Sequence, residues 1–368
     1  MRGLLTLLFA ATISLPLLGT ALGLDGADPL AEKRDLAALP AMPSDWKSAR
    51  AFPAAGTAWF DDHFAFRASL VRLSAELRYF ALGVSPNPSV IKGRGGWLFY
   101  GSDGGSDDYT REKPFTAAEL AEWRESIVRT NRWLRERGIA YVFAVAPDKH
   151  VIYPEEMPAS IRPRSAPSRL EQLFEALEGS GVITVDFRPA LLEAKKKERV
   201  YDLTDTHWNR RGAFVAYREI VAAIRTQASA VDPALGPDDF VPTTQDVEGQ
   251  DLAVMAGLAR SIREEQLDLS PKHPRRARVV EPARAGAEAQ VGRLVSEIPG
   301  SAKPRAVFFH DSFLVRARPF LSEHFGRAVY AWQTNFDSEE VVRERATVVV
   351  HEVVGRYLTR RPYSDVAQ

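Results

Sequence analysis

The feature that most constrains the fold is a continuous apolar run, IAYVFAVAP, at residues 139–147. A run of this kind, without polar alternation, is typical of a strand that is buried on both faces of a parallel sheet. It directly follows a helical pattern at residues 115–138, in which Thr116 and Glu119 form a capping box and Gly138 ends the helix. The helix and the strand together predict a sheet covered by helices, which is an α/β fold.

The same alternation continues along the chain. Further strand patterns occur at residues 182–187, 306–311, 328–332 and 346–354, and further helical patterns occur at residues 168–181 and 212–225. Strands that alternate with helices predict a three-layer α/β domain with a mostly parallel sheet over about residues 86–368. Residues 226–300 show Pro and Asp turns but no sustained period. They are interpreted as a large irregular insertion before the strand at residues 306–311.

The segments that precede this domain have patterns of their own. Residues 90–103, VIKGRGGWLFYGSD, predict two short strands around a glycine turn. Residues 60–83 place apolar side chains at steps of four and three, which predicts one helix. Residues 24–58 are rich in Ala, Pro and charged side chains and are interpreted as an extended lead-in.

The N-terminus indicates export. Arg2 is followed by an uncharged, apolar stretch that continues to Asp25 and contains the small-x-small sequence Ala21-Leu22-Gly23. A basic start, an apolar stretch and such an ending are typical of a secretory signal. The stretch is also long enough for an uncleaved membrane anchor. Residues 1–23 are therefore predicted to be a signal peptide or an N-terminal anchor.

The composition excludes several classes of function. The chain has 48 basic and 48 acidic side chains, so its net charge gives no reason to expect a nucleic-acid partner. It has no cysteine. Disulfides, thiolate metal sites and a cysteine nucleophile are therefore excluded.

A first candidate for chemistry is HDSF at residues 310–313, where Ser312 comes directly after an apolar strand pattern and before a helical one. Working groups in open parallel sheets gather at the carboxyl ends of the strands. A serine there can present its hydroxyl group to a substrate, while the amides of the helix start hold an oxyanion. Taken alone, Ser312 or Asp311 can also be explained as a helix cap.

A second candidate is TDTHWN at residues 204–209. Asp205 and His207 are two residues apart, so on an extended segment their side chains point to the same side. A carboxylate in that position orients an imidazole and stabilises its charged form, as a general base requires. Alternatively, Asp205 caps a helix and His207 packs in the core. Together with Ser312, the pair supplies a nucleophile, a base and an orienting acid, which favours a Ser-His-Asp triad.

A metal site is the alternative that these motifs leave open. Three Asp/His pairs lie on loops that are predicted to follow strands: Asp148 with His150, Asp205 with His207, and His310 with Asp311. Such ligands suit zinc or manganese. Helical His-x-x-x-His spacing is absent, however, and each pair has a simpler use as a cap or as an orienting group. No metal is therefore expected.

Other residues near these motifs have two readings each. Lys149 is expected either to be solvated, or to pair with an acid or steady the loop before IYPEEMP. Arg316 and Arg318 are expected on a helix surface, and KHPRRAR at residues 272–278 in a solvated loop, although all of them could contact an anionic polymer. Three tryptophans are candidates for sugar stacking but are more typical of a core, namely Trp97, Trp208 and Trp332.

Four stretches resemble one known family. GRGGWLFYGSD (93–103), PDKHVIYPEEMP (147–158), TDTHWNRRGAFVAY (204–217) and FFHDSFLVRARPFLSEHF (308–325) are similar to the SGNH-hydrolase-like domain of the bacterial alginate O-acetyltransferases. The resemblance covers about residues 56–358. It implies a flavodoxin-like sheet in a domain over residues 59–368, with the triad in permuted order. Asp205 and His207 match the family's acid and base, and Ser312 matches its serine. Asn335 is a weak candidate for an oxyanion donor.

The resemblance also implies a function. It indicates a periplasmic O-acetyltransferase that forms an acetyl-serine and acetylates hydroxyl groups of an exopolysaccharide such as alginate, without a cofactor. The implied partners are a membrane-bound O-acyltransferase that supplies acetyl groups and a polysaccharide-export complex. Two alternatives remain: an acetylesterase that uses the same triad, and a non-catalytic scaffold that binds the polysaccharide.

Overall fold

The computed structural model describes residues 2–24, 35–282, 292–362 and 364–366 of the chain. It has two compact units, of which the first comprises Met1–Pro88 and Gly249–Ile262 and the second comprises Ser89–Glu248 and Arg263–Gln368. The α-helices are α1 (Arg2–Ala21), α2 (Trp46–His63), α3 (Arg67–Glu76), α4 (Gly105–Thr110), α5 (Ala117–Arg135), α6 (Lys149–Ile152), α7 (Arg169–Leu177), α8 (Arg188–Lys195), α9 (Arg210–Arg225), α10 (Asp251–Met255), α11 (Arg318–Leu321) and α12 (Ser338–Arg343). The strands are β1 (Val90–Lys92), β2 (Leu98–Tyr100), β3 (Ala140–Ala146), β4 (Ile183–Asp186), β5 (Phe240–Glu248), β6 (Arg263–Pro271), β7 (Arg278–Glu281), β8 (Arg293–Glu297), β9 (Arg305–His310), β10 (Arg327–Trp332) and β11 (Val348–Val354).

The first unit is more helical than the sequence predicts. The extended lead-in is wrong from Trp46 onward, because α2 begins there under a capping box in which Asp45 accepts a hydrogen bond from the Ser48 amide at 2.7 Å. Helix α2 buries none of its residues, so its sequence carries no apolar stripe that would reveal it. The single helix predicted at residues 60–83 is also broken, since Phe66 adopts a left-handed φ of 64° between α2 and α3.

No helix in the described parts of the chain is both long enough and apolar enough to cross a membrane.

The second unit contains a seven-stranded sheet in the order β4-β3-β11-β9-β10-β8-β7. The first five of these strands run parallel to one another, while β8 pairs antiparallel with both β10 and β7. The prediction of an α/β fold with a mostly parallel sheet is thus confirmed. The carboxyl ends of β3, β9 and β11 consequently meet at one edge of the sheet, with the Lys149 and Ser312 turns following β3 and β9.

Helices cover both faces of this sheet, which makes three layers. Strand β3 shows the arrangement, because all seven of its residues are buried. Tyr141, Phe143 and Val145 face a core built with α5 and α7, whereas the alternate residues Val142, Ala144 and Ala146 face a core built with α8 and α9. Burial on both faces explains the continuous apolar run at residues 139–147.

The insertion at residues 226–300 is more regular than predicted. It contains β5 and β6, which pair antiparallel over nine residues, and also β7 and β8, which extend the main sheet. Most of β5 is exposed, and its sequence FVPTTQDVE is polar and contains a proline. A two-sided exposed ribbon has no apolar face, so the usual alternation of a strand is absent. Residues 283–291, part of the same predicted insertion, lie outside the described residues.

Candidate active site

Ser312, His207 and Asp205 lie together, joined by two hydrogen bonds. In the tautomer that carries its proton on Nδ1, His207 donates to Asp205 Oδ1 over 2.7 Å. The same ring accepts the Ser312 hydroxyl proton at Nε2, over an Nε2–Oγ distance of 2.7 Å. These distances suit a nucleophile, its base and the acid that orients the base. The structure therefore brings the three residues predicted from HDSF and TDTHWN to one place.

The hydroxyl group of Ser312 is not used as a helix cap. Ser312 precedes the 3₁₀ helix Phe313–Arg316, and its side chain accepts no hydrogen bond from that helix. Asp311 acts as the cap, because its Oδ1 accepts the Phe313 amide at 2.9 Å and its Oδ2 accepts the Val354 amide at 2.6 Å. Ser312 is half-buried, and its hydroxyl group is directed to His207.

The carboxylate of Asp205 is held in its ionised form. Oδ1 also accepts the backbone amide of His207 at 2.9 Å, and Oδ2 accepts Arg316 Nη2 at 2.7 Å. Burial alone would raise the pKa of Asp205, but the neighbouring His207 and the Arg316 guanidinium outweigh it and lower the pKa well below its ordinary value. A lasting negative charge at this position stabilises a protonated His207, which is the charge state that a general base passes through.

The sequence predicts Arg316 on a helix surface, but its side chain is half-buried and bound by acidic groups. Besides Asp205, its guanidinium binds the carboxylate of Asp202 and donates to the Trp208 carbonyl at 2.6 Å. Asp202 is fully buried, and its burial raises its pKa in spite of the opposing Arg316 charge. Arg316 therefore connects the turn that carries Ser312 to the loop that carries Asp205.

That loop runs from α8 to α9 and does not follow a strand of the main sheet. Tyr201 and Trp208 form an isolated bridge across its base. Glu264 of β6, itself buried, accepts the amides of Leu203 at 2.7 Å and Thr204 at 3.2 Å. The next helix is capped by Asn209, which follows the motif directly. Asn209, rather than Asp205, thus serves as the cap.

The three tryptophans were candidates for sugar stacking, and Asn335 was a candidate oxyanion donor. Trp97 and Trp208 are buried, and Trp208 Nε1 donates to the Phe313 carbonyl at 2.8 Å, which makes it part of the core beneath Ser312. Trp332 is half-buried at the end of β10, against the ring of His310. Asn335, considered as an oxyanion donor, is exposed on the loop after β10.

The other Asp/His residues considered as metal ligands have protein partners. Asp148 is buried and forms an ion pair with Arg356 at 2.6 Å. His310 is buried between the Asp311 carbonyl at 2.5 Å and Arg318 at 3.0 Å, and burial lowers the pKa of His310 to about 3. His150 packs its ring against Tyr109. Asp148 and His310 are thus bound by protein groups, and His150 is packed in the interior, with its Nε2 unpaired among the described residues.

Beside Asp148, a second buried carboxyl group leads to a prediction about stability. Burial and the charge of Asp148 raise the pKa of Asp108 from 3.8 to about 6. The folded state thus binds this proton more tightly than the unfolded state, and its contribution to stability is present below about pH 4 and is lost as the pH rises to about 6. Asp108→Asn keeps an acceptor for the Arg169 amide, which lies at 3.2 Å, and cannot ionise. At pH 7 the variant is expected to exceed the unsubstituted chain in free energy of unfolding by up to about 3 kcal/mol.

Urea unfolding at pH 4 and at pH 7 measures this difference. The gain in free energy of unfolding of Asp108→Asn should be present at pH 7 and small at pH 4. An equal difference at both values would show that the ionisation of Asp108 does not set it.

The sequence alone did not identify the residues that support the site. The sequence leaves Lys149 to solvent, to an acid or to the loop before IYPEEMP, but it is buried with only 2% of its surface exposed and binds the loop of Asp205 instead. Glu264 lies in the segment that was interpreted as irregular, so no pattern pointed to it. The link between Arg316 and Asp205 also spans more than a hundred residues of sequence.

The mostly parallel sheet between two layers of helices is the α/β architecture of an SGNH-hydrolase-like domain. Residues 90–333 match the family model described as the SGNH hydrolase-like domain of acetyltransferase AlgX, and the chain belongs to this family. The family resemblance predicted from the four sequence stretches is thereby confirmed.

Curated relatives match the chain over part of its length. A protein of Pseudomonas syringae pv. tomato named "Probable alginate O-acetylase AlgJ" is 32% identical over 196 residues, which is 51% of this chain and 45% of the relative. The protein of the same name from Pseudomonas aeruginosa is 30% identical over 173 residues, 46% of this chain and 41% of the relative. The chain thus spans less than half the length of these two relatives.

Among solved structures, PatB1 of Bacillus cereus with a sulfonyl adduct matches with a TM-score of 0.54 and 15% identity. The match covers 73% of this chain and 97% of PatB1. At this level of identity the likeness concerns the fold alone, and it agrees with the α/β architecture described above.

Proposed function

We propose that this chain is an exported O-acetyltransferase that acetylates hydroxyl groups of an exopolysaccharide through an acetyl-serine on Ser312. The observation that carries the proposal is the hydrogen-bonded series from Asp205 through His207 to the half-buried Ser312. Membership in an acetyltransferase family and relatives named alginate O-acetylase support acetyl transfer to a polymer such as alginate.

In the first half of the reaction, Ser312 Oγ attacks the carbonyl carbon of an acetyl donor. Its proton passes to His207 Nε2, and the negative charge of Asp205 stabilises the imidazolium that results. When the tetrahedral intermediate collapses, the bond to the donor's leaving group breaks and His207 returns the proton to that group. The product is acetyl-Ser312 and a neutral imidazole.

The oxyanion of that intermediate requires hydrogen-bond donors close to Ser312. The backbone N–H of Ser312 makes no hydrogen bond to any residue that the structure describes. It is therefore the first donor in the proposed mechanism.

In the second half, a polysaccharide hydroxyl group gives its proton to His207 and attacks the acetyl-serine. The acetyl–Oγ bond then breaks, and Ser312 recovers its proton from His207. If water replaces the sugar hydroxyl, the same steps release acetate, which is the esterase reaction. Exclusion of water by the bound polymer therefore decides between transfer and hydrolysis.

The proposed location and partners follow from this chemistry and from the family. An apolar N-terminal stretch and relatives named "Probable alginate O-acetylase AlgJ" favour the periplasm. Acetyl groups then have to be delivered across the membrane, for which a membrane-bound O-acyltransferase is the proposed donor. A polysaccharide-export complex would bring the acceptor polymer to the enzyme.

The test is the intact mass of the chain after it is mixed with 4-nitrophenyl acetate, with ester turnover read in the same tube. One added acetyl group that maps to Ser312 and is absent in His207→Ala supports the proposal. Turnover that depends on His207 without a trapped adduct also supports it, because deacylation is then fast. Neither adduct nor turnover would favour the scaffold, and turnover that a chelator removes and a divalent ion restores would favour a metal hydrolase.

A further inference from the structure

The three residues of the candidate site reach it from two different supports. Ser312 follows the main sheet almost directly, because only Asp311 separates it from the end of β9. Asp205 and His207 lie instead on a loop between two helices. A shift of this loop by 1 Å relative to the sheet would lengthen the bond between His207 and Ser312. A contact that ties the loop to the sheet is therefore needed.

Lys149 makes such a contact. It is the first residue of α6, three residues beyond the end of β3, and it is buried. Its ammonium group donates to the backbone carbonyls of Asp202 at 3.0 Å, Leu203 at 3.0 Å and Asp205 at 2.5 Å. An ammonium group has three N–H donors. Three carbonyls thus converge on one cation, which offsets the repulsion between their oxygen atoms.

The surroundings of the ammonium group strengthen this arrangement. The rings of Trp97 and Phe99 lie 5.5 Å and 5.4 Å from Lys149 Nζ, within the range of a cation–π interaction. Glu264 accepts the amides of Leu203 and Thr204. Peptide groups of one short loop thus direct their carbonyls to a buried cation and their amides to a buried anion.

From this geometry we infer that Lys149 is a positioning residue, whose ammonium group sets the loop of Asp205 and His207 against the sheet that carries Ser312. Its three bonds to this loop are made to backbone carbonyls and not to the side chains of Asp205 and His207. The inference rests on the proposed function, because it concerns the efficiency of the same triad.

The test compares the rate at which phenylmethylsulfonyl fluoride modifies Ser312, together with kcat and KM for 4-nitrophenyl acetate. In Lys149→Met the side chain keeps its length but has no charge and no donors. A misplacement of about 1 Å is expected to lower the modification rate and kcat by about 100-fold. Lys149→Gln has two N–H donors. Its modification rate and its kcat are expected to lie between those of Lys149→Met and those of the unsubstituted chain.

The matched control is Lys195→Met. Lys195 also donates to a backbone carbonyl, that of Ile152 at 2.6 Å, and pairs with Glu155 at 2.6 Å, but it makes no contact with the loop of residues 202–205. Its removal is expected to leave kcat and the modification rate within about twofold, since a partly exposed ion pair and one hydrogen bond to Ile152 are lost, and neither involves the loop.

Chemical rescue separates positioning from general stability. Propylammonium can restore the missing charge and donors in Lys149→Ala, and the modification rate is expected to rise by about tenfold or more, while sodium chloride at equal ionic strength has no effect. A Lys149→Met protein that is folded and reacts at the unsubstituted rate would overturn the inference. If Lys149→Met does not fold, two other results would overturn the inference equally. One is a Lys149→Ala variant whose modification rate propylammonium does not restore, and the other is a Lys149→Gln variant that reacts as slowly as Lys149→Ala. Absence of His207-dependent modification of Ser312 in the unsubstituted chain would instead refute the proposed function, and the inference would fall with it.

Discussion

Replacing Ser312 by alanine is expected to lower acetyl transfer and ester turnover by about 10⁴- to 10⁶-fold, as loss of the nucleophile does in serine hydrolases. The substitution removes one oxygen atom, which bonds to His207 Nε2 at 2.7 Å and does not cap the following helix. The fold should therefore be unaffected, and the melting temperature should stay within a few degrees of its original value. Ester turnover and thermal unfolding measure the two effects.

Ser322→Ala is the matched control for this substitution. Ser322 is a buried serine whose hydroxyl group bonds to Ser296 and Tyr330, each at 2.9 Å, and not to His207. The Ser322→Ala variant is expected to keep its ester turnover while losing some stability. Full turnover in Ser312→Ala would exclude Ser312 as the nucleophile. An equal loss in both variants would point to a general disturbance of the fold.

How far the fold could be predicted depended on whether a segment has an apolar face. Strand β3 is buried on both sides and was recognised from IAYVFAVAP alone. Strand β5 is exposed along most of its length, and helix α2 buries no side chain. Helix α2 is held by hydrogen bonds within the helix and at its cap, and β5 by its ladder with β6, so neither needs an apolar face that the sequence would reveal.

The candidate site shows the same division. Asp205, His207 and Ser312 were predicted because their chemistry depends on side-chain types at short spacing or at the end of a strand. Lys149 and Glu264 stabilise the same loop through backbone carbonyls and amides. Any residue can present a backbone group, so the sequence of the loop cannot indicate which distant side chain binds to it.

Asp205→Asn is expected to lower turnover by about 10⁴-fold, although asparagine has nearly the same shape. Oδ1 of Asp205 accepts the proton on His207 Nδ1 at 2.7 Å. An amide is uncharged, so it stabilises the imidazolium far less. If its NH₂ group faces the ring, it also favours the tautomer with the proton on Nε2, which cannot accept the proton of Ser312. The rate of Ser312 modification by phenylmethylsulfonyl fluoride and ester turnover should fall together.

The control for this prediction is Asp202→Asn, because Asp202 and Asp205 both bind Arg316 but only Asp205 contacts His207. Burial raises the pKa of Asp202, so a neutral amide is tolerated there better than at Asp205. Turnover in Asp202→Asn is expected to remain within about tenfold, which corresponds to about 1.4 kcal/mol. If both variants lost activity equally, the important contact of Asp205 would be its ion pair with Arg316. A much larger loss in Asp205→Asn alone would assign the effect to His207, the group that takes the proton from Ser312 in the proposed reaction.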